Sequence, residues 1–224
     1  MAGRTQFARF IAVWGAAVAV GVIATVALVV TVDPYRLYGL IDVPGFNRIK
    51  PQPERYQKEI KLHAARKLKA NILIVGNSRA ELGFDPAHSA FARQGQRPFN
   101  LALAGTRLST ARQQLDALSL AGQHPATLIV GLEFLDFLVD PSLPPAPRSP
   151  DAIPQTSLQW QFDALFSMAS VADAIKTIGL QRATDPQTMT SLGFNPLLEY
   201  NGFARSEGYF SIFQQRANQY ARDF

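Results

Sequence analysis

The sequence predicts an α/β domain carried on one membrane-spanning helix, and three observations predict it. Residues 10–32, FIAVWGAAVAVGVIATVALVVTV, carry no charge. Three short apolar runs follow at 72–76, 99–105 and 127–134, separated by stretches of helical character. Each run closes on a small or polar cluster: Gly76-Asn77-Ser78-Arg79, Gly105-Thr106, and Gly131-Leu132-Glu133. Strands that are apolar throughout are those buried on both faces of a parallel sheet, and their alternation with helices indicates right-handed crossovers.

In chain order, residues 1–9 read as a cytoplasmic tail carrying Arg4 and Arg9. Residues 10–32 are long enough to cross a hydrocarbon core of about 30 Å as a helix. A cleaved signal peptide would have a shorter apolar region closing on Ala-x-Ala, whereas this one closes on Val and Thr, and Asp33-Pro34 ends it. With no polar face it does not read as a buried core helix. Arg4, Arg9 and the terminal amine on one side nearly balance Arg36, Arg48 and Lys50 on the other. The expected topology is a short tail inside the cytoplasmic membrane, a single pass, and the domain outside.

Residues 33–69 combine a connector with a basic helix. The part at 33–53, DPYRLYGLIDVPGFNRIKPQP, reads as extended, being rich in Pro and Gly. ERYQKEIKLHAARKLK at 54–69 reads as a helix with Tyr56, Ile60 and Leu68 on one side. It is expected to pack on the sheet with a solvated basic face; contact with anionic lipid is the alternative. Residues 70–224 form the α/β domain. Within it, the Pro-rich stretch at 140–154, DPSLPPAPRSPDAIP, is a surface connector or a flap beside the site. Helical segments are expected at about 158–182 and from about 206 to the end.

Composition narrows the function classes. A chain of 224 residues is enough for one domain with a core, and 47% hydrophobic against 17% charged residues places some apolar content outside a soluble core. The formal charge of +5 suits an anionic membrane surface or an acidic polymer. Aromatic and basic residues do not interleave as single-stranded nucleic acid requires, so no nucleic-acid partner is expected. The absence of Cys excludes disulfides, thiolate zinc sites and cysteine nucleophiles, and no metal-ligand spacing is present.

Open α/β sheets bind ligands at the carboxyl ends of their strands, where all three polar clusters arrive. A serine at the first turn, opening a helix, sits in a field that favours developing negative charge. Gly105 lets a backbone N–H approach a substrate oxygen. The plainer role for Ser78 is a helix N-cap. Ser89 and Ser109 read as helix-surface positions.

The strand ending in Gly76-Asn77-Ser78-Arg79, with NLALAGT at 100–106 and GLEFLDF at 131–137, resembles the SGNH (GDSL-type) hydrolase superfamily. The likeness is to its membrane-anchored relatives in envelope polysaccharide acylation, over roughly residues 70–137. The resemblance implies a flavodoxin-like three-layer sheet and a serine esterase or O-acyltransferase needing no cofactor. Its partners would be the bilayer, an envelope polysaccharide and an acyl-donor membrane protein. It implies Ser78 as nucleophile, with the N–H groups of Ser78 and Gly105 as oxyanion donors and Asn77 and Arg79 as polar contacts. Where the family carries an asparagine donor this chain has Glu133, and an ionised carboxylate repels an oxyanion.

A serine nucleophile needs a base, which the family supplies from a carboxyl-terminal Asp-x-x-His block. His63, His88 and His124 do not occupy that place, and Asp136 and Asp140 have no following histidine to orient. Glu133 and the missing block favour a rival reading, a non-catalytic binding or assembly protein of the envelope. Only three strands are legible, so the domain is expected to be incomplete at its carboxyl end and to have little hydrolase activity alone.

Overall fold

The computed structural model describes residues 2–138 and 158–206, together with a few positions between 208 and 218. The Pro-rich stretch, Asp140 and most of the expected last helix lie outside the described residues.

Helix α1, Ala2–Val32, is a continuous helix, and its stretch Gln6–Val32 is long and apolar enough to cross a membrane. A helix satisfies its own backbone hydrogen bonds, as hydrocarbon demands. Its end is built deliberately. Asp33 takes a left-handed conformation (φ 48°) and Pro34 follows. The terminal carbonyls then find side-chain donors: Lys50 Nζ donates to Val32 O at 2.6 Å, and Asn47 Nδ2 donates to Thr31 O and Val32 O at 3.2 and 3.3 Å. A cation at this end also opposes the negative pole of the helix dipole.

The connector does more than the extended reading implies. The Asp33 carboxylate accepts hydrogen bonds from the N–H groups of Leu37, Tyr38 and Gly39, curling the chain into a tight turn. Tyr35, Leu37, Asn47 and Lys50 are buried, and Pro51 bridges to Thr188. Local polar bonding and apolar anchors fold this segment without helical or strand periodicity.

Helix α2, Gln57–Leu68, packs Leu62 and Ala65 on the sheet, so the sheet-packing expectation is the one met. Three strands follow: β1 (Ile72–Val75), β2 (Pro98–Asn100) and β3 (Thr127–Val130). They form a parallel sheet in the order β2-β1-β3, with Leu73 opposite Phe99 and Leu128. Between them run α3 (Ser78–Gly83), a 3-10 turn at Ser89–Phe91, and α4 (Leu108–Leu120). Leu73, Val75, Phe99 and Leu101 face α2 and α4, while Ile74 and Ala102 meet Ala80, Phe91 and Ile129 on the other face. The chain is thus a mixed α/β protein with an apolar amino-terminal helix.

β3 departs from the expectation of a strand covered on both faces. Leu128 and Val130 are exposed, although they share a face with the buried Leu73 and Val75. The α4 residues Ala111, Ala117 and Leu118 cluster with Phe99 and Leu101, on that same face but toward β2, the strand at the opposite edge.

The expected helix at 158–182 divides into α5 (Leu158–Phe166) and α6 (Met168–Leu180), with Ser167 capping α6 through a bond from Ser170 N. Ala174, Val171 and Ile178 of α6, with Leu165 of α5, pack against Leu28, Val29 and Val32. Tyr35 Oη donates to Asp173 Oδ2 at 2.5 Å beside this seam. A further helix, α7 (Leu198–Ser206), begins earlier than the segment expected from about 206.

Candidate functional site

Parallel register brings all three polar turns to one edge. Leu101 N and Leu103 N donate to Ile74 O and Gly76 O, extending the β1–β2 pairing to two residues before Gly105. On the other side Gly131 N donates to Val75 O, two residues before Glu133. The turn after β1 needs glycine. Gly76 sits at φ 140°, and a Cβ there would lie 2.8 Å from Gly131 O. A Cβ on Gly131 would lie 2.7 Å from Ala80 Cβ, so these two glycines let α3 leave the strand at close range.

Asn77, not Ser78, is the helix cap: its Oδ1 accepts from Arg79 N at 3.0 Å. Ser78 is the first residue of α3 and is half-buried, and no hydrogen bond to its hydroxyl is made among the described residues. The helix it opens has six residues, so the helix field expected at Ser78 is small. Gly105 is exposed at φ 70°, and its N–H makes no hydrogen bond among the described residues.

Glu133 and Arg79 find each other. Arg79 Nε lies 3.0 Å from Glu133 Oε1, with side-chain exposures of 82% and 20%. The Glu133 carboxylate is therefore paired with a guanidinium across the turns that follow β1 and β3. Water screens so exposed a pair, which contributes about 0–1 kcal/mol.

Two residues that organise this edge, Lys61 and Glu81, escaped sequence reasoning, and Asn100 was marked only as the start of the second polar cluster. Lys61 and Glu81 form an ion pair at 2.8 Å in which neither side chain is exposed. Lys61 Nζ also donates to Ala102 O at 2.5 Å, and Glu81 accepts from Gln57 Nε2 at 3.1 Å and from Ala104 N at 2.8 Å. One buried network thereby ties α2, the Ser78 helix and the chain next to Gly105. Burial pushes the Lys61 ammonium down, and Glu81 opposes that shift. Asn100, also fully buried, donates through Nδ2 to the carbonyls of Ala80, Glu81 and Phe84 at the end of α3. The one available signal was a lysine inside the helix face that also carries Ile60 and Leu62.

The histidines lie elsewhere. His63 packs edge-on against Trp160 with ring centroids 6.1 Å apart, and its Nδ1 lies 3.4 Å from Gln161 Nε2; burial lowers its pKa. His88 accepts from Ala90 N at 3.2 Å and caps the 3-10 turn, and His124 is exposed ahead of β3. Asp136 accepts from Leu108 N and Glu133 N at 3.2 and 3.0 Å, fixing the third turn to the start of α4. Ser89 and Ser109 are exposed as expected. Among the described residues, no group of acidic and histidine side chains could hold a metal ion.

The fold and edge thus define a mixed α/β protein with a serine, a free glycine N–H and an Arg–Glu pair at the carboxyl ends of parallel strands. No family model matches the chain, and no curated protein or solved structure matches it.

Proposed function

We propose that this is a membrane-anchored SGNH-like protein acting on O-acyl groups of an envelope polysaccharide, as an esterase or acyltransferase, with its domain outside the cytoplasmic membrane. The observation that carries the reading is the turn after β1, where Gly76 and Gly131 allow Ser78 to open α3 at the carboxyl edge. The order β2-β1-β3 supports it, being that of the first three strands of a flavodoxin-like sheet, whose ligands sit at the β1/β3 switch point. In this chemistry Ser78 Oγ attacks the ester carbonyl carbon and loses its proton to a base. The sugar oxygen departs with a proton, and the acyl-serine passes its acyl group to water or to a second hydroxyl. The N–H groups of Ser78 and Gly105 would bind the oxyanion, and an acyl-donor membrane protein would load the serine in the transferase case.

A second reading, a non-catalytic binding or assembly protein, is favoured by the Arg79–Glu133 pair and by the three histidines' places away from Ser78. A fluorophosphonate probe and an acetyl-ester hydrolysis assay separate the two. Labelling and turnover that vanish in Ser78→Ala support the enzyme. Absence of both in the full chain, with binding of acetylated polysaccharide retained, supports the binding protein.

A further inference from the structure

A cavity of about 410 Å³ opens at the foot of α1, lined by Asp33, Arg36, Ile41, Asp42, Lys50 and Lys67 among others. Its charges are unequally spent. Asp33 is already occupied by three backbone N–H groups, and Asp42 pairs with Arg48 at 3.3 Å. Among the described residues Lys67 Nζ reaches the carbonyls of Leu37 and Tyr38, at 3.4 and 3.3 Å, and no carboxylate. Lys50 Nζ donates to Val32 O, and Arg36 Nη2 donates to Arg48 O at 3.3 Å. Arg36 Nε is buried with no hydrogen-bond partner among the described residues. Three cations therefore converge beside two carboxylates, and among the described residues none of the three is in ion-pair contact.

The place matters as much as the charge. The apolar stretch of α1 has 27 residues, which run to about 40 Å as a helix. That exceeds a hydrocarbon core of about 30 Å and brings its carboxyl end to headgroup level. The loop beside the cavity exposes Leu40 (66%), Ile41 and Val43, apolar side chains suited to the outer acyl region.

We propose that this cavity holds the phosphate of an anionic phospholipid, with Arg36 and Lys67 as its main donors and Leu40, Ile41 and Val43 against its acyl chains. The assignment rests on α1 spanning the bilayer. Arg36 keeps a guanidinium N–H without a partner among the described residues, and a phosphate balances the excess of Arg36, Lys50 and Lys67 over Asp33 and Asp42 in the lining. Lys50 lends charge while still capping α1.

The test uses the full chain in nanodiscs of phosphatidylcholine with a minor fraction of phosphatidylglycerol, then native mass spectrometry of lipid kept on the released protein. Retained phosphatidylglycerol is expected, falling about fivefold for each of Arg36→Asn and Lys67→Gln, the loss typical of one basic residue near a charged membrane. Asparagine suits the left-handed backbone of Arg36 (φ 57°). Arg112→Gln on the solvent face of α4, which removes the same charge, should leave retention unchanged, and thermal melts of all three variants should match the parent. Equal retention of phosphatidylcholine, or insensitivity to both substitutions, overturns the proposal. So does full displacement by inorganic phosphate in detergent, which assigns the cavity to a free anion. Failure of the α1 reading looks different: the chain would not enter nanodiscs at all.

Discussion

Lys61 and Glu81 show how much one residue can hide. A lysine in a basic helix reads as solvated, yet this one is fully buried against a carboxylate and a carbonyl that orient the Ser78 edge. Removing one member leaves an uncompensated buried charge, so Lys61→Met should lower stability by about 3–5 kcal/mol. The double variant Lys61→Met, Glu81→Gln should recover part of that loss, as thermal melts in detergent would record. Lys50 makes a prediction of opposite character. Burial pushes its ammonium from 10.5 down to about 8, with Asp33 acting against the shift and Arg36 adding to it. The unfolded chain keeps the ordinary value and so binds more protons between about pH 8 and 10.5, and stability rises with pH through that window. Lys50→Met should flatten that rise, whatever it does to overall stability; an unchanged slope would show that Lys50 titrates as it does in water.

At the scale of elements, the three strands were legible because buried parallel strands are apolar throughout, and their polar ends marked the edge on which Ser78, Gly105 and Glu133 converge. What stayed illegible has physical causes. The turn at 33–39 is built from one aspartate bonding to three N–H groups, which leaves no periodic trace. The exposure of β3 depends on where α4 lands, a tertiary fact its own residues do not carry. The roles at the first turn were half legible: Gly and Ser were marked, but the cap fell to Asn77 and the partner of Arg79 proved to be Glu133. The glycines themselves can be tested. Gly131→Ala puts a methyl group 2.7 Å from Ala80 Cβ, and Gly76→Ala adds a left-side φ that L residues rarely adopt. Each should cost about 1–3 kcal/mol in overpacking or backbone strain. Gly105→Ala meets open space and should cost less, about 1 kcal/mol from its positive φ alone, so its melt should lie above those of the other two.

With α1 read as a membrane span, the decisive question for the whole molecule is which side of the bilayer the α/β domain occupies. α1 is not a loose tether: Val29 and Val32 are buried against α6, and Tyr35 bonds Asp173, so the domain is seated on the end of the helix. Wherever the carboxyl end of α1 emerges, the Ser78 edge and the cationic cavity emerge with it. Basic residues flank α1 almost equally, so the positive-inside rule decides little. The proposal of an external domain rests on the envelope chemistry proposed for Ser78. The chain contains no cysteine, which makes the experiment clean. Ser89→Cys on the 3-10 turn and Ser109→Cys on α4 each introduce one thiol at an exposed position. A membrane-impermeant maleimide should label both in intact spheroplasts, with no gain after permeabilisation. Labelling that requires permeabilisation would place the domain in the cytoplasm. The cationic cavity would then face the inner leaflet, and an envelope polysaccharide could not reach Ser78.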